Sequence, residues 1–171
     1  PVGMKNPTSG DLGVMLNSVY AAQHEHDFIF REWEVRSSGN PYTHAIMRGS
    51  QNKHGQMVPN YHYEDLKLLN SLYEKRDIPH PAVVVDTNHC NSGKKYKEQL
   101  RIAHEVMHDR KYSEELAHFV KGLMVESYLL EGSAKVEEHI LGKSITDACI
   151  GWEDTLRLIS TIYEYQAQTK Y

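Results

Sequence analysis

Ala82-Val83-Val84-Val85-Asp86-Thr87-Asn88-His89 is the stretch that decides how the rest of the chain is read. An apolar, β-branched run of this kind is a strand buried on both faces, the signature of a parallel sheet with covered faces. It ends on polar groups, with Asn88 and His89 at its C-terminal side. Working outward, Ser92 to Asp109 reads as a helix after it. Pro59 to Lys75 reads as a helix before it, with Tyr63, Leu66, Leu69, Leu72 and Tyr73 as an apolar stripe. Val120 to Glu126 is a further buried strand, and Trp152 to Gln168 a closing helix. Towards the start, Leu12, Met15, Leu16 and Val19 mark a helix within residues 9–23, and the run ending in Lys5 reads as the last turn of a strand. Asp27 to Val35 alternates, Ser37-Ser38-Gly39-Asn40-Pro41 is a turn cluster, and Tyr42 to Arg48 follows as a strand. Residues 27–48 are therefore expected to form a β-hairpin. Strands alternating with helices predict an α/β fold with a parallel sheet.

Composition narrows the function classes. The 171 residues are 40% hydrophobic and 25% charged, an ordinary globular balance. A net charge of −4 speaks against a nucleic-acid partner, whose binding surface is usually basic. No run approaches the roughly 20 apolar residues of a membrane span, so no membrane partner is expected. Two cysteines, Cys90 and Cys149, cannot build a disulfide framework, and a cytoplasmic home is the simplest. Eleven histidines raise the question of a metal.

Three strands end in groups that chemistry uses: Arg48-Gly49, Asn88-His89 and Glu126-Ser127. In a barrel of alternating strands and helices such ends converge on one mouth, where the active site lies. With Lys5 and Asp147 they make a candidate set. His89, Glu126 and Asp147 offer mixed nitrogen and oxygen ligands that suit Mn, Fe, Co or Zn. Lys5 and Arg48 add the positive charge that a phosphate or carboxylate substrate needs. The bland alternative is a set of solvated strand-end charges. His104-Glu105-Val106-Met107-His108 fits the H-E-x-x-H pattern of zinc peptidases. Helical geometry puts its histidines on the flank of the helix and Glu105 nearly opposite the apolar face. Gly142-Lys143-Ser144 lacks the earlier glycine of a phosphate-binding loop, since Glu137 occupies that position. The Cys149 thiol sits in apolar surroundings and reads as inert.

Pro1-Val2-Gly3-Met4-Lys5-Asn6, Met47-Arg48-Gly49, Asp86-Thr87-Asn88-His89, Gly122-Leu123-Met124-Val125-Glu126-Ser127 and the run from Gly142 to Thr155 occur in order. Together they resemble the class I 3-deoxy-D-arabino-heptulosonate 7-phosphate (DAHP) synthases of the feedback-regulated microbial type. The resemblance implies the C-terminal half of a (β/α)8 TIM barrel with an inserted β-hairpin. Residues 1–171 then form one partial domain, from the end of the fifth barrel strand through the eighth helix. It implies condensation of phosphoenolpyruvate with erythrose 4-phosphate, using one divalent metal ion. By the same resemblance His89, Glu126 and Asp147 match metal ligands, and Lys5 and Arg48 match residues that hold phosphoenolpyruvate. Lys5, Arg48, His89 and Asp147 then carry the catalytic work, with Asp147 also positioning the second substrate. The family's cysteine ligand and its Lys-Pro-Arg-Thr segment are absent from this chain. They are expected in an N-terminal half that completes the enzyme, itself expected to be a homo-oligomer. Two other readings stand beside this one: a zinc metallopeptidase using His104, Glu105 and His108, and a non-catalytic interaction domain.

Overall fold

A computed structural model describes residues 2–170; Pro1, which opens the first of the shared motifs, and Tyr171 lie outside the described residues. The elements in chain order are β1 (Val2–Lys5), α1 (Leu12–Gln23), β2 (His26–Phe30), β3 (Trp33–Ser37), β4 (Thr43–Met47), β5 (Ser50–Gln51), β6 (Met57–Val58), α2 (Tyr63–Lys75), β7 (Val83–Asp86), α3 (Glu98–Tyr112), α4 (Glu114–Phe119), β8 (Val120–Met124) and α5 (Trp152–Gln168). β1, β4, β7 and β8 form one parallel sheet in that order. Neighbours in the sheet are thus successive along the chain, with helices between them. A doubly wound sheet would reverse its order at a switch point; this one never does, as a segment of a (β/α)8 barrel requires.

The periodicities explain the layers. Ala45 and Met47 of β4 and Val83 and Val85 of β7 point to one face and are buried against Met15, Leu16, Leu66, Leu69, Tyr73, Ile102 and Val106 of the helices. Alternation turns the intervening residues to the other face. Pairing sets Lys5 beside Ile46, Ile46 beside Val84, and Val84 beside Gly122, with Asp86 and Met124 one step nearer the C-terminal ends. A smaller core of Ala103, Ile150 and Leu158 joins α3 to α5. Two helix starts are capped by side chains: the Asp11 carboxylate accepts the Val14 N–H at 3.1 Å, and the Ser113 hydroxyl accepts that of Leu116 at 3.3 Å. No helix among the described residues is long and apolar enough to cross a membrane.

The hairpin differs from the one expected over 27–48. Its arms are β2 and β3, paired antiparallel from His26–Ser37 to Phe30–Trp33, while Thr43–Met47 joins the parallel sheet between β1 and β7. The reversal is made by Arg31 and Glu32, both left-handed at φ 49° and 69°. Two successive positive φ values match the type I′ turn that suits the strand twist, a turn usually written with Asn-Gly. The Ser37–Pro41 cluster instead links the hairpin to β4. Helix α3 begins at Glu98 rather than Ser92, because turns occupy the segment after β7.

Candidate functional site

The C-terminal ends of the four parallel strands carry the site, and each side chain is placed by the strand or loop that precedes it. His89 follows β7 in a left-handed conformation, φ 50°, which a non-glycine residue adopts at a cost. Its Nε2 lies 3.5 Å from Glu126 Oε1 and 3.7 Å from Asp147 Oδ2. Glu126 stands two residues beyond β8, and Asp147 comes from the long connection between β8 and α5. Among the described residues, these three form the one group of His, Cys, Asp or Glu whose donor atoms all lie within 4.8 Å of one another.

The spacing fits a metal ion. Bonds of about 2.0–2.2 Å in a tetrahedral shell put neighbouring donors about 3.4 Å apart. The other ring nitrogen, Nδ1, is buried, has no aligned hydrogen bond and lies 2.9 Å from the fully buried Asp86 carboxylate. A histidine ligand usually faces a carboxylate in this way, leaving its outer nitrogen free to bind. Asn88 Nδ2 donates to Glu126 Oε2 at 3.0 Å, which turns Oε1 toward His89. One imidazole and two carboxylates suit a divalent ion of the Mn-to-Zn series.

Lys5 reaches the same place indirectly. Its Nζ donates to Asp86 Oδ2 at 2.8 Å, so Asp86 stands between the lysine and His89. Arg48 follows β4, and its backbone N–H donates to Asn6 Oδ1 at 2.9 Å. Its Nε is buried and lacks a hydrogen-bond partner. An unsatisfied guanidinium donor inside a protein is costly unless something else accepts it, and an anionic ligand would do so.

Supporting residues went unseen in the sequence. Gln99 of α3 is fully buried; its Oε1 accepts from Glu126 N at 2.8 Å and from Thr87 Oγ1 at 3.1 Å, and its Nε2 donates to Glu126 O at 3.0 Å. Asn6 Nδ2 donates to Gly49 O, and Asn60 Oδ1 accepts from Gly49 N. Asn91 Nδ2 donates to Met47 O and to Asp86 O, while its Oδ1 accepts from Asn60 N. These three asparagines brace the ends of β1, β4 and β7 against one another. The signal available was their placement just past strand ends, which is weak, since asparagine is common in turns.

The peptidase pattern does not assemble. Glu105 is half-buried rather than turned fully to solvent; it accepts from His62 Nδ1 at 2.5 Å and from Arg101 at 3.1 Å. His104 and His108 lie on the exposed flank. Cys90 and Cys149 are free and buried, and burial pushes the Cys149 thiol above its ordinary value. It is a poor thiolate source.

Comparison with known proteins fits this geometry. Residues 1–160 match the profile of the DAHP synthetase I family. The chain belongs to that family. Among DAHP synthetase I relatives, the Trp-sensitive phospho-2-dehydro-3-deoxyheptonate aldolase of Shigella flexneri is 36% identical over 171 residues, covering 95% of this chain and 46% of the relative. The phospho-2-dehydro-3-deoxyheptonate aldolase of Haemophilus influenzae is 37% identical over 170 residues, covering 94% and 44%. The solved structure of the aldolase of that name from Francisella tularensis superposes with a TM-score of 0.85 at 27% identity, covering 99% of this chain and 49% of that one. The chain thus spans about half the length of the family members it matches, and its parallel sheet is half of their barrel.

Proposed function

We propose that this chain contributes the metal-binding and phosphoenolpyruvate-binding half of a DAHP synthase, which condenses phosphoenolpyruvate with erythrose 4-phosphate. The convergence of His89, Glu126 and Asp147 at the strand ends carries the reading. A bound divalent ion supplies Lewis acidity at that mouth. Arg48 offers its guanidinium fork to the phosphate or carboxylate of phosphoenolpyruvate, and its unpartnered Nε supports that role. Lys5 brings a second positive charge, held ready by Asp86. With the anion fixed, its C3 carbon attacks the aldehyde carbon of the sugar phosphate, water adds at C2, and phosphate leaves by C–O cleavage. Positioning of this kind converts a bimolecular encounter into a directed one. Asp147, half-exposed at the rim, orients the second substrate. Free buried cysteines support a cytoplasmic setting. The exposed Phe28, Ile29, Phe30 and Trp33 of the hairpin support assembly into an oligomer.

The test separates binding from turnover. Mn2+ titrated calorimetrically into the purified protein should bind at least about tenfold more weakly after His89→Ala, since even outer partners of metal ligands act on that scale. Arg48→Ala should weaken phosphoenolpyruvate binding and leave Mn2+ affinity unchanged. Equal Mn2+ affinity in the wild type and His89→Ala would remove the basis of the assignment.

A further inference from the structure

The groove between α3 and α5 holds a second set of metal-capable donors, away from the strand ends. His104 and His108 are exposed and one helical turn apart on α3. At that spacing the Cβ atoms lie about 5–6 Å apart, so two imidazoles can converge on one ion. Both line a cavity of about 340 Å³ whose opposite wall carries Glu164 and Tyr165 of α5. The His104 ring meets Tyr165 edge-on at 5.8 Å, which brings the α5 turn bearing Glu164 opposite the pair. His108 leans on Tyr112 at 4.7 Å. Lys111 also lines the cavity and is held at its wall: its Nζ donates to Gln168 Oε1 at 2.7 Å and lies over the Tyr112 ring.

We propose that His104, His108 and Glu164 form a surface site for a borderline-soft divalent ion such as Zn2+, clamping α3 to α5. Two neutral imidazoles and one carboxylate are a normal donor set for zinc, with water completing the shell. In the structure the donor atoms of these three do not all lie within 4.8 Å of one another, because the rings rest on aromatic neighbours; binding requires them to swing inward. Exposed side chains change rotamer on the picosecond-to-nanosecond scale, so this reorganisation is fast. The site binds without peptidase chemistry. The glutamate of the His-Glu-x-x-His pattern, Glu105, is held on another flank of the helix by His62 and Arg101 and cannot act as base in this groove.

Zn2+ titrated into the purified protein, with thermal unfolding followed in parallel, tests the proposal. Binding to the folded state alone raises the midpoint by mass action. His108→Ala is expected to weaken this Zn2+ site by at least about tenfold and to remove its share of the midpoint shift. His104→Ala should do the same, and Glu164→Gln should weaken binding to a smaller extent. His118→Ala, an exposed histidine on α4, should leave the site intact, as should His89→Ala at the strand-end cluster. Since His104, His108 and Glu164 are exposed, their replacement should leave the far-ultraviolet circular dichroism unchanged. Zn2+ binding and midpoint shift unchanged in the His104→Ala/His108→Ala double variant would overturn the proposal. So would an equal loss in His118→Ala, which would mean nonspecific histidine binding, or wild-type affinity in Glu164→Gln.

Discussion

Replacing Gln99 with leucine tests whether α3 holds Glu126 in place. Gln99 makes three hydrogen bonds, two to the Glu126 backbone and one from Thr87 Oγ1. Their losses are unequal. Thr87 Oγ1 keeps a partner in Met124 O, and Glu126 O keeps one in Ile150 N. Only Glu126 N is left without an acceptor. A stranded donor costs about 1–3 kcal/mol and each exchanged bond about 0.5–1.5 kcal/mol at most. Leucine has nearly the same volume and recovers part of this through apolar burial. A net destabilisation of about 2 kcal/mol is expected from urea unfolding with an unchanged denaturant slope. Stability alone would not distinguish a positioning role from a merely structural one. Mn2+ affinity does, because Glu126 Oε1 must stay near His89 Nε2 to share an ion. A decrease of about tenfold is expected, the usual effect of disturbing a ligand's support. Unchanged Mn2+ affinity in a destabilised Gln99→Leu protein would refute the positioning argument, and stability within about 0.5 kcal/mol of wild type would refute the energetic one.

Two further outcomes follow from the geometry. Gly49 has φ 75°, and a Cβ there would lie 2.7 Å from Asn91 N and 2.8 Å from Cys90 Cβ. Gly49→Ala should therefore cost about 2–4 kcal/mol in urea unfolding, strain and overlap together. Gly55→Ala, also at positive φ but with a Cβ that would lie 3.6 Å from Gln51 Nε2, should cost only about 1 kcal/mol; equal losses would contradict the steric account. The Lys67 ammonium and the Asn70 amide hold the Glu115 carboxyl below its ordinary value of 4.5. A lowered folded value means the carboxylate adds stability above the unfolded value, and this is lost as pH falls through the folded one. Glu115→Gln should flatten that part of the acid-unfolding curve, and added salt should shrink the difference, since both partners are over a third exposed.

The strands legible in the sequence were those whose burial leaves a compositional mark. Val83 and Val85 are apolar because they pack beneath the helices, whereas Val84 on the other face is half-buried and lines an open cavity, so the expected burial holds for one face of β7 only; Trp152 to Gln168 is helical because one stripe faces Ala103 and Ile150. The hairpin was misread because its turn is Arg31-Glu32, without Gly or Asn, while the Gly- and Pro-bearing cluster downstream is only a connection. In the candidate site, Lys5, Arg48, His89 and Glu126 stand out in the sequence by their position at strand ends, whereas Asp147 lies in the long connection after β8. Gln99 does not stand out, because a buried glutamine within a helix looks no different in sequence from an exposed one. Glu105 lies nearer the buried face than helical geometry alone predicts, because Gln99, Ile102 and Val106 are buried as well as Ala103 and Met107.

The asparagine braces at the strand ends have a consequence for how the mouth responds to its surroundings. Asn6, Asn60 and Asn91 carry no charge and do not titrate. Their bonds fix backbone atoms of Gly49, Met47 and Asp86 through neutral amides. Changes of pH or ionic strength therefore act on the groups that face a ligand while the frame beneath them stays still. An anion or cation arriving at the mouth meets no charge in these braces, so the backbone bonds they make do not depend on neutralising the Lys5–Asp86 pair that also joins β1 to β7.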